Sequence, residues 1–183
     1  MVTCVADDMC IGAGNKLLAH VKPDMKRFVE ITKGNTVVMG RHTYESLPSM
    51  KPLKGRENII VSKTMNIAPE GFSLCSNIYT YMDEMRYSDK NIYIIGGAKI
   101  YKEFLPVTNT IYMTWLHADP SKLYMSNNCI NINDIFVCFP YELYDYNWHI
   151  EVTYSGTCLQ KNYGLLKYDF LTLRKSCIKA KAI

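Results

Sequence analysis

Three short apolar runs constrain the fold of this chain more than any other feature. Residues 36–39, 58–62 and 91–95 are rich in Val and Ile, and glycine follows the first and the last of them directly. Periodicity alone does not separate a buried strand from a buried helix at this length, but short length and β-branched content favour strands. The runs therefore predict buried strands of a parallel sheet.

Helical patterns lie between these runs. Residues 23–33 place Met25, Phe28, Val29 and Thr32 on one face, with Pro23 in the first turn. Shorter helices are predicted at 43–47 and 98–105. Strands that alternate with helices indicate a parallel core with right-handed crossovers.

The last third of the chain has a different pattern. Aromatic and β-branched runs at 110–116, 148–154 and 165–173 have no helical pattern between them, and the last two predict an antiparallel hairpin joined across Gly156 to Gly164. Residues 124–144 show no clear period and are expected to be irregular. The predicted fold class is α/β: a doubly wound mixed sheet, mostly parallel, with an antiparallel C-terminal edge hairpin and helices on both faces.

Composition indicates one compact domain, which we place at 1–174, followed by a short basic tail at 175–183. The chain has 183 residues, of which 48% are hydrophobic, and a formal net charge of +4. That charge does not require a nucleic-acid partner, and it suits an anionic small ligand. A monomer is expected.

The cysteines and the apolar runs bear on compartment. Seven cysteines are widely spaced without a CxxC pair, so no metal site is predicted and a reducing compartment is favoured. No signal segment is evident, and the apolar runs are too short to span a bilayer. A cytoplasmic protein without membrane contact is therefore expected.

Candidate chemistry lies where strands end, because ligands of open α/β sheets bind beyond the carboxyl ends of the strands. The first such point is Gly40, followed by Arg41 and His42 and the start of a helix. Free N–H groups beside an arginine favour an anion. An ordinary strand-to-helix turn, capped by His42 or Thr43, explains the same residues.

The second point is the pair Gly96-Gly97. Paired glycines allow a ligand to approach the backbone closely, and a helix start follows. The pair is not a GxGxxG motif, so it does not specify a dinucleotide by itself.

The third point is Asp24. A carboxylate in the first turn of a helix is favoured by the helix dipole, which is a sufficient structural explanation. Asp24 and Phe28 also lie four residues apart on one face, where a carboxylate beside an aromatic wall can pair with a protonated flat heterocycle.

Taken in chain order, these residues closely resemble the dihydrofolate reductase family. The single motifs are weak, but the ordered set is specific, and it covers roughly residues 1–174. The matching residues are Ile11-Gly12, Asp24 with Phe28, 38–46, 52–62, Ile95-Gly96-Gly97 before Ile100-Tyr101, 104–106 and 111–114.

The resemblance implies that dihydrofolate is the substrate. Asp24 would hydrogen-bond the amino group and ring nitrogen of the pteridine, with Thr114 as its partner through water. Arg56 would grip the glutamate carboxylate, a bidentate role that suits guanidinium. The other implied substrate-binding residues are Val2, Thr3, Cys4, Met25, Phe28, Leu47, Leu53, Ile95 and Tyr101.

The resemblance also implies NADPH as the cofactor. The implied residues are Ile11 and Tyr101 beside the nicotinamide, Gly96 and Gly97 at the pyrophosphate through a cis peptide, His42 and Thr43 at the diphosphate, and Arg41, Ser62 and Lys63 at the 2′-phosphate. Asn15, Gly40, Ala98, Lys99 and Ile100 complete the set. The implied reaction reduces 7,8-dihydrofolate to tetrahydrofolate, in support of one-carbon and thymidylate metabolism.

One departure from the family pattern leaves alternatives open. Leu18-Ala19 stand where the family usually has Pro-Trp in the loop that closes over the nicotinamide. A slow or inhibitor-tolerant enzyme, or a homologue that binds folate and NADPH without turnover, would fit that loop. A pyrimidine reductase of riboflavin synthesis shares the glycine pair, but its substrate would need neither Asp24 with Phe28 nor Arg56.

Overall fold

The computed structural model describes residues 1–85, 87–127 and 135–176, which form eleven strands and five α-helices. The strands are β1 (Val2–Val5), β2 (Cys10–Ala13), β3 (Lys16–Leu17), β4 (Thr36–Gly40), β5 (Glu57–Val61), β6 (Ser73–Cys75), β7 (Ile92–Gly96), β8 (Thr110–Leu116), β9 (Phe136–Cys138), β10 (Trp148–Gln160) and β11 (Gly164–Lys175). The helices are α1 (Lys22–Thr32), α2 (Arg41–Ser46), α3 (Ile78–Met85), α4 (Ala98–Phe104) and α5 (Pro120–Asn127).

A parallel sheet in the order β6-β5-β4-β7 carries the three predicted strands. Every residue of β4 is buried, as expected for a central parallel strand covered on both faces. Helix α2 follows β4 directly, and α4 follows β7 after one residue. The alternation of strand and helix read from the sequence is therefore confirmed.

A second sheet has the order β1-β8-β11-β10, in which β1 and β8 are parallel and the other pairs are antiparallel. Strand β1 lies beside β7 of the first sheet. A small antiparallel sheet, β3-β2-β9, completes the pattern. The mixed α/β fold is confirmed, although its backbone hydrogen bonds divide into separate ladders.

The predicted position of the hairpin turn is wrong. Gly156 lies inside β10, opposite Tyr168, and a Cβ at Gly156 would lie 2.6 Å from Cε1 of Tyr154 and 2.8 Å from the hydroxyl oxygen of Tyr168. The glycine therefore makes room for two aromatic rings. The turn lies after Gln160, where Asn162 and Gly164 have positive φ values of 62° and 98°.

The expectation of irregular structure over 124–144 is also partly wrong. This segment includes the end of α5, strand β9 and a 3₁₀ turn at Tyr141–Asp145, while 128–134 lie outside the described residues. Strand β9 has three residues and pairs with β2 far away in sequence. A strand this short has too few residues to show a local period.

The end of the chain also differs in detail. Lys175, placed in the basic tail from the sequence, is the last residue of β11, and its ammonium donates to the carbonyl oxygens of Leu105 (3.2 Å) and Pro106 (2.8 Å). Residues 177–183 lie outside the described part. Among the helices that the structure describes, none combines the length and apolar content required to cross a membrane.

Candidate active site

Helix α1 buries polar residues rather than apolar ones. Its two buried residues are Asp24 and Thr32, and Phe28 lies midway between them on the same face. A buried carboxylate is costly unless partners satisfy it. This face of α1 therefore serves a purpose other than core packing.

Asp24 is 7% exposed, and the Thr114 side chain on β8 lies near enough to its carboxyl group to act on its pKa. Burial raises the pKa of Asp24 above its usual value, while the Thr114 hydrogen bond and the positive charges of Arg27 and His20 act in the opposite direction. The structure brings Asp24 and Thr114 together, and their partnership through water remains a prediction.

Tyr101 links the Asp24 region to the glycine pair. Its hydroxyl donates to the carbonyl oxygen of Val2 on β1 over 2.7 Å, and its ring centroid lies 4.9 Å from that of Phe139. Burial raises the pKa of Tyr101, and the charge of Asp24 adds to that increase. The phenol therefore remains protonated at neutral pH and serves as a fixed donor.

The glycine pair forms a narrow cradle above the end of β7. The Gly96–Gly97 peptide is cis, as the family resemblance implied, and Gly96 has a φ of +121°. A Cβ at Gly96 would lie 3.3 Å from the Tyr101 hydroxyl and 3.4 Å from Oγ1 of Thr43, and one at Gly97 would lie 3.6 Å from the same Thr43 atom. A flat or phosphate-bearing ligand can use the space that side chains would fill.

Gly40 belongs to the same cradle. A Cβ there would lie 2.8 Å from Cγ1 of Ile100 and 3.7 Å from the carbonyl oxygen of Gly96. The ends of β4 and β7 therefore meet, which brings together residues that the sequence separates by more than fifty positions. The predicted residues Gly40, Thr43, Gly96, Gly97, Ile100 and Tyr101 lie in one place.

A polar corner adjoins this cradle at the end of β5. Arg41 donates from Nε to Glu45 (2.7 Å) and from Nη1 to the hydroxyl of Thr64 (3.4 Å). The hydroxyl of Ser62 lies 3.4 Å from that of Thr64. Arg41 and Ser62 therefore converge as predicted, and Thr64 joins them as a residue that sequence reasoning missed.

The predicted 2′-phosphate residues differ in exposure. Ser62 is buried, and its hydroxyl oxygen accepts hydrogen bonds from the backbone amides of Thr64 and Met65. Lys63 is exposed. His42 is exposed and contacts Glu45, with 3.3 Å between Nδ1 and Oε2.

Arg56 is held in place by several contacts. Its Nη1 donates to the Thr32 hydroxyl (3.0 Å), its Nε donates to the Lys54 carbonyl (3.2 Å), and its Cζ lies 5.5 Å from the Phe28 ring centroid. The Thr32 hydroxyl in turn donates to the Phe28 carbonyl over 2.7 Å. Thr32 was placed on this helix face from the sequence, but its contact with Arg56 was not predicted, because that contact depends on a partner brought in by the fold.

The buried Asn58 side chain fixes the loop that presents Arg56. Its amide donates to the carbonyls of Leu53 and Arg56 and accepts from the backbone N–H of Leu53. These bonds span five residues or fewer, and they set the loop in one conformation. Asn58 is a second positioning residue that the sequence did not reveal.

The predicted apolar wall falls into separate clusters. Leu47, Leu53 and Ile95 pack together on the core cluster of Val37, Met39, Ile60 and Phe72. Ile11 packs on the cluster that contains Tyr101, and Cys4 packs on a third. Val2 and Thr3 are buried on β1, and Met25 and Phe28 are half-buried on α1.

Three predicted cofactor residues lie outside the glycine cradle. Asn15 is exposed in the turn between β2 and β3 with a φ of +61°, Lys99 is exposed in the first turn of α4, and Ala98 is half-buried beside it. The described contacts do not tie their side chains to the glycine cradle. Their proposed part in cofactor binding remains a prediction.

The loop that departs from the family pattern is packed into the protein. Leu18 and Ala19 are buried in the cluster that also contains Cys10, Ala13 and Leu123. The next residue, His20, accepts a hydrogen bond at its carbonyl from the Gln160 side chain (3.4 Å). Apolar packing therefore anchors this loop at the position where the family usually has Pro-Trp.

Comparisons with known proteins agree on one family. The family model described as dihydrofolate reductase matches residues 1–129. Dihydrofolate reductase of Neisseria meningitidis serogroup A is 33% identical over 114 residues, covering 62% of this chain and 69% of that protein. The Buchnera aphidicola enzyme of the same name is 35% identical over 119 residues, covering 65% and 72%.

A solved structure extends the likeness beyond residue 129. The dihydrofolate reductase from Enterococcus faecalis, complexed with NADP(H) and RAB-propyl, covers 96% of this chain and 94% of its own, with a TM-score of 0.74 at 22% identity. At that identity the match shows the fold alone. It includes the C-terminal hairpin, which the family model does not reach.

Proposed function

The chain belongs to the dihydrofolate reductase family, and on that premise we propose that it transfers a hydride from NADPH to 7,8-dihydrofolate, giving tetrahydrofolate. The observation that carries this proposal is the pairing of buried Asp24 with Thr114, on the helix face that also presents Phe28. A buried carboxylate beside an aromatic ring suits the amino and ring N–H groups of a pteridine.

The substrate tail supports the same proposal. Arg56 donates one N–H of Nη1 and the N–H of Nε in the contacts described above. These contacts fix the orientation of the guanidinium, and its remaining N–H groups are available to bind a carboxylate. Phe28 lies beneath that guanidinium. A ligand with a flat ring at Asp24 and a carboxylate at Arg56 matches dihydrofolate.

The cofactor proposal rests on the glycine cradle. NADPH would supply the hydride from C4 of its nicotinamide. Gly96, Gly97 and Thr43 would hold its pyrophosphate, Ile11 and Tyr101 would border the nicotinamide, and Arg41 with Ser62 and Thr64 would bind the 2′-phosphate. The cradle admits a ligand that close only because no Cβ fills it.

The protein contributes alignment and electrostatics to the reaction. Asp24 would hold the pteridine so that C6 faces the nicotinamide, and its negative charge would favour the protonated form of the ring. The proton for N5 would arrive through water, since the carboxyl of Asp24 is placed to bind the amino edge of the ring. Tyr101, kept protonated by burial, would hold the α4 end of the cradle against β1.

Mixing the protein with NADPH and dihydrofolate tests this function. We expect the absorbance of reduced nicotinamide to fall only when both are present. Asp24→Asn should slow that reaction at neutral pH by about 100-fold or more, the effect of losing a positioned acid–base group, while NADPH affinity is retained. Equal activity of the two proteins would refute the role of Asp24.

A second candidate is a homologue that binds folate and NADPH without turnover. The buried Leu18-Ala19 segment favours it, because a loop anchored by apolar packing closes over a ligand less freely. Tight binding of both ligands with no loss of NADPH would support this reading. A pyrimidine reductase of riboflavin synthesis would not need Arg56 or Phe28 for its substrate. A turnover assay with dihydrofolate separates that enzyme from a dihydrofolate reductase.

We further propose that the protein acts as a cytoplasmic monomer in tetrahydrofolate and thymidylate metabolism, without nucleic-acid or membrane partners. Free thiols support a reducing compartment: Cys4, Cys10, Cys75, Cys138 and Cys158 form no disulfide among the described residues. Size-exclusion chromatography with light scattering would measure the oligomeric state.

A further inference from the structure

Arg27 is a charged residue whose charge acts on Asp24 and which the proposed function leaves without a role. It lies three residues after Asp24 on α1, so the two side chains share a face of the helix. A surface arginine would point into solvent, but Arg27 is half-buried and directed at the sheet.

Three hydrogen bonds hold the Arg27 guanidinium against two strands. Nη1 donates to the carbonyl oxygen of Met113 (3.0 Å) and to Oγ1 of Thr114 (3.5 Å), and Nη2 donates to the carbonyl oxygen of Leu171 (3.0 Å). Its Cζ lies 4.4 Å from the ring centroid of Phe170, which pairs with Thr114 across the β8–β11 ladder. The planar fork thus spans β8 and β11 with little freedom to move.

The contact with Thr114 sets the direction of a second hydrogen bond. A guanidinium has donors only, so the Thr114 oxygen accepts from Arg27. The single hydroxyl hydrogen of Thr114 is then available to donate toward the Asp24 carboxyl group, whose pKa Thr114 lowers. A donor aimed at a carboxylate favours its ionised form.

We propose that Arg27 is a positioning residue for Asp24: its guanidinium fixes the shared helix face to β8 and β11 and holds the Thr114 hydroxyl as a donor directed at Asp24 when the site is empty. An ionised Asp24 accepts the amino and ring N–H groups of the pteridine at neutral pH. The inference rests on the proposed function only for its use in catalysis, since the Arg27–Thr114–Asp24 chain exists without substrate.

Other groups around Asp24 limit the alternatives. His20, in the loop before α1, is a second positive influence, and burial of Asp24 opposes both charges. Cys4 on β1 and Tyr101 on α4 also face this region, and burial raises the pKa of each, so both stay neutral near pH 7. Arg27 is therefore the one permanent charge among these neighbours that faces the carboxyl group.

The direct test is the pKa of Asp24, followed by NMR of ¹³C-labelled aspartate carboxyls in the ligand-free protein. Absence of one resonance in Asp24→Asn assigns the signal. Removing the positive charge of Arg27, which lowers the pKa of Asp24, should raise that pKa by about one unit or more, so we expect that increase in Arg27→Met and a smaller one in Arg27→Lys. Arg174→Met, which removes an exposed arginine paired with Glu151, should leave the pKa unchanged.

Two further variants allow the same test if Arg27→Met does not fold. Arg27→Gln keeps an amide donor without the charge, and Thr114→Val keeps the charge without the hydroxyl; each should raise the pKa of Asp24. A role for Arg27 in stability alone would lower the unfolding midpoint without moving that pKa, and an unchanged pKa in the folded variants would overturn the inference.

Activity provides a second readout that is separate from the first. In Arg27→Met, the acid limb of kcat/KM for dihydrofolate should move to higher pH together with the pKa of Asp24. If the pKa moves but no variant or parent consumes NADPH, the proposed function fails and the Arg27 inference stands. If activity is present and the pKa is unmoved, the inference fails alone.

Discussion

The Tyr101 hydroxyl donates a hydrogen bond of 2.7 Å to the carbonyl oxygen of Val2, and this bond joins helix α4 to strand β1. The glycine cradle lies on the α4 side of the bond, while β1 pairs with β8, the strand that carries Thr114. The buried phenol of Tyr101 therefore connects the two halves of the proposed site, one for each ligand.

Arg56→Lys should weaken dihydrofolate binding more than it slows turnover. The lysine cannot reproduce the fork, and losing a charge-assisted hydrogen bond costs roughly 1.5–3 kcal/mol, so KM should rise about tenfold or more. Steady-state kinetics measures the change, and a dihydropteridine without the glutamate is the matched control. If KM rises equally for both substrates in the variant, Arg56 does not contact the carboxylate.

Gly96→Ala should impair NADPH binding. The backbone φ of +121° disfavours alanine, and the new Cβ would crowd Tyr101 and Thr43. Filling the space proposed for the pyrophosphate should cost about 1.4 kcal/mol or more of binding free energy, a loss of tenfold or more in affinity, measured by fluorescence titration.

Gly34→Ala is the matched control for that variant, because Gly34 also has a positive φ (+79°) but open space around the missing Cβ. It should lower the free energy of unfolding and leave NADPH affinity intact. Unaltered NADPH affinity in Gly96→Ala would contradict the placement of the pyrophosphate.

Arg41→Met should reduce the preference for NADPH over NADH. Arg41 converges with Ser62 and Thr64 in the corner proposed for the 2′-phosphate, so the KM for NADPH should rise about tenfold, by the loss of a charge-assisted contact. The KM for NADH should stay constant, as should both constants in Arg174→Met. A parallel rise for NADPH and NADH would assign Arg41 another role.

Asp24→Asn should stabilise the protein in a manner that depends on pH. Burial raises the pKa of the folded-state carboxyl above its ordinary value. Between the unfolded and folded pKa values the folded state binds more protons, so wild-type stability falls as pH rises through that window. Asp24→Asn does not lose stability in this way, because asparagine does not bind a proton.

Urea unfolding at several pH values would measure the effect. The free energy of unfolding of Asp24→Asn relative to wild type should increase from acidic to neutral pH and then level off. A difference that is constant with pH, or that falls as pH rises, would show that Asp24 is not buried in the free protein.

The main strands could be predicted because their signal is local. The runs that became β4, β5 and β7 are short, β-branched and bounded by polar residues or glycine. Strand β4 is buried throughout, and β5 and β7 are buried or half-buried apart from Glu57. Gly156 could not be placed in the same way, since a glycine that accommodates the rings of Tyr154 and Tyr168 has the same composition signal as one in a turn.

Only some residues of the candidate site could be predicted from the sequence. Asp24, Arg56 and the glycine pair were found through the ordered resemblance to a family. Arg27, Asn58 and Thr64 were missed, because their roles depend on a partner chosen by the fold. Arg27 is the clearest case: its acceptors on β8 and β11 lie 86 and 144 residues away.

The most direct test of the proposed reaction is the fate of the hydrogen carried on C4 of the nicotinamide. NADPH deuterated at both C4 positions should yield tetrahydrofolate one mass unit heavier, with the deuterium on C6, and Asp24→Asn should form this product far more slowly. Unlabelled tetrahydrofolate, or binding of both ligands without any product, would contradict hydride transfer at this site.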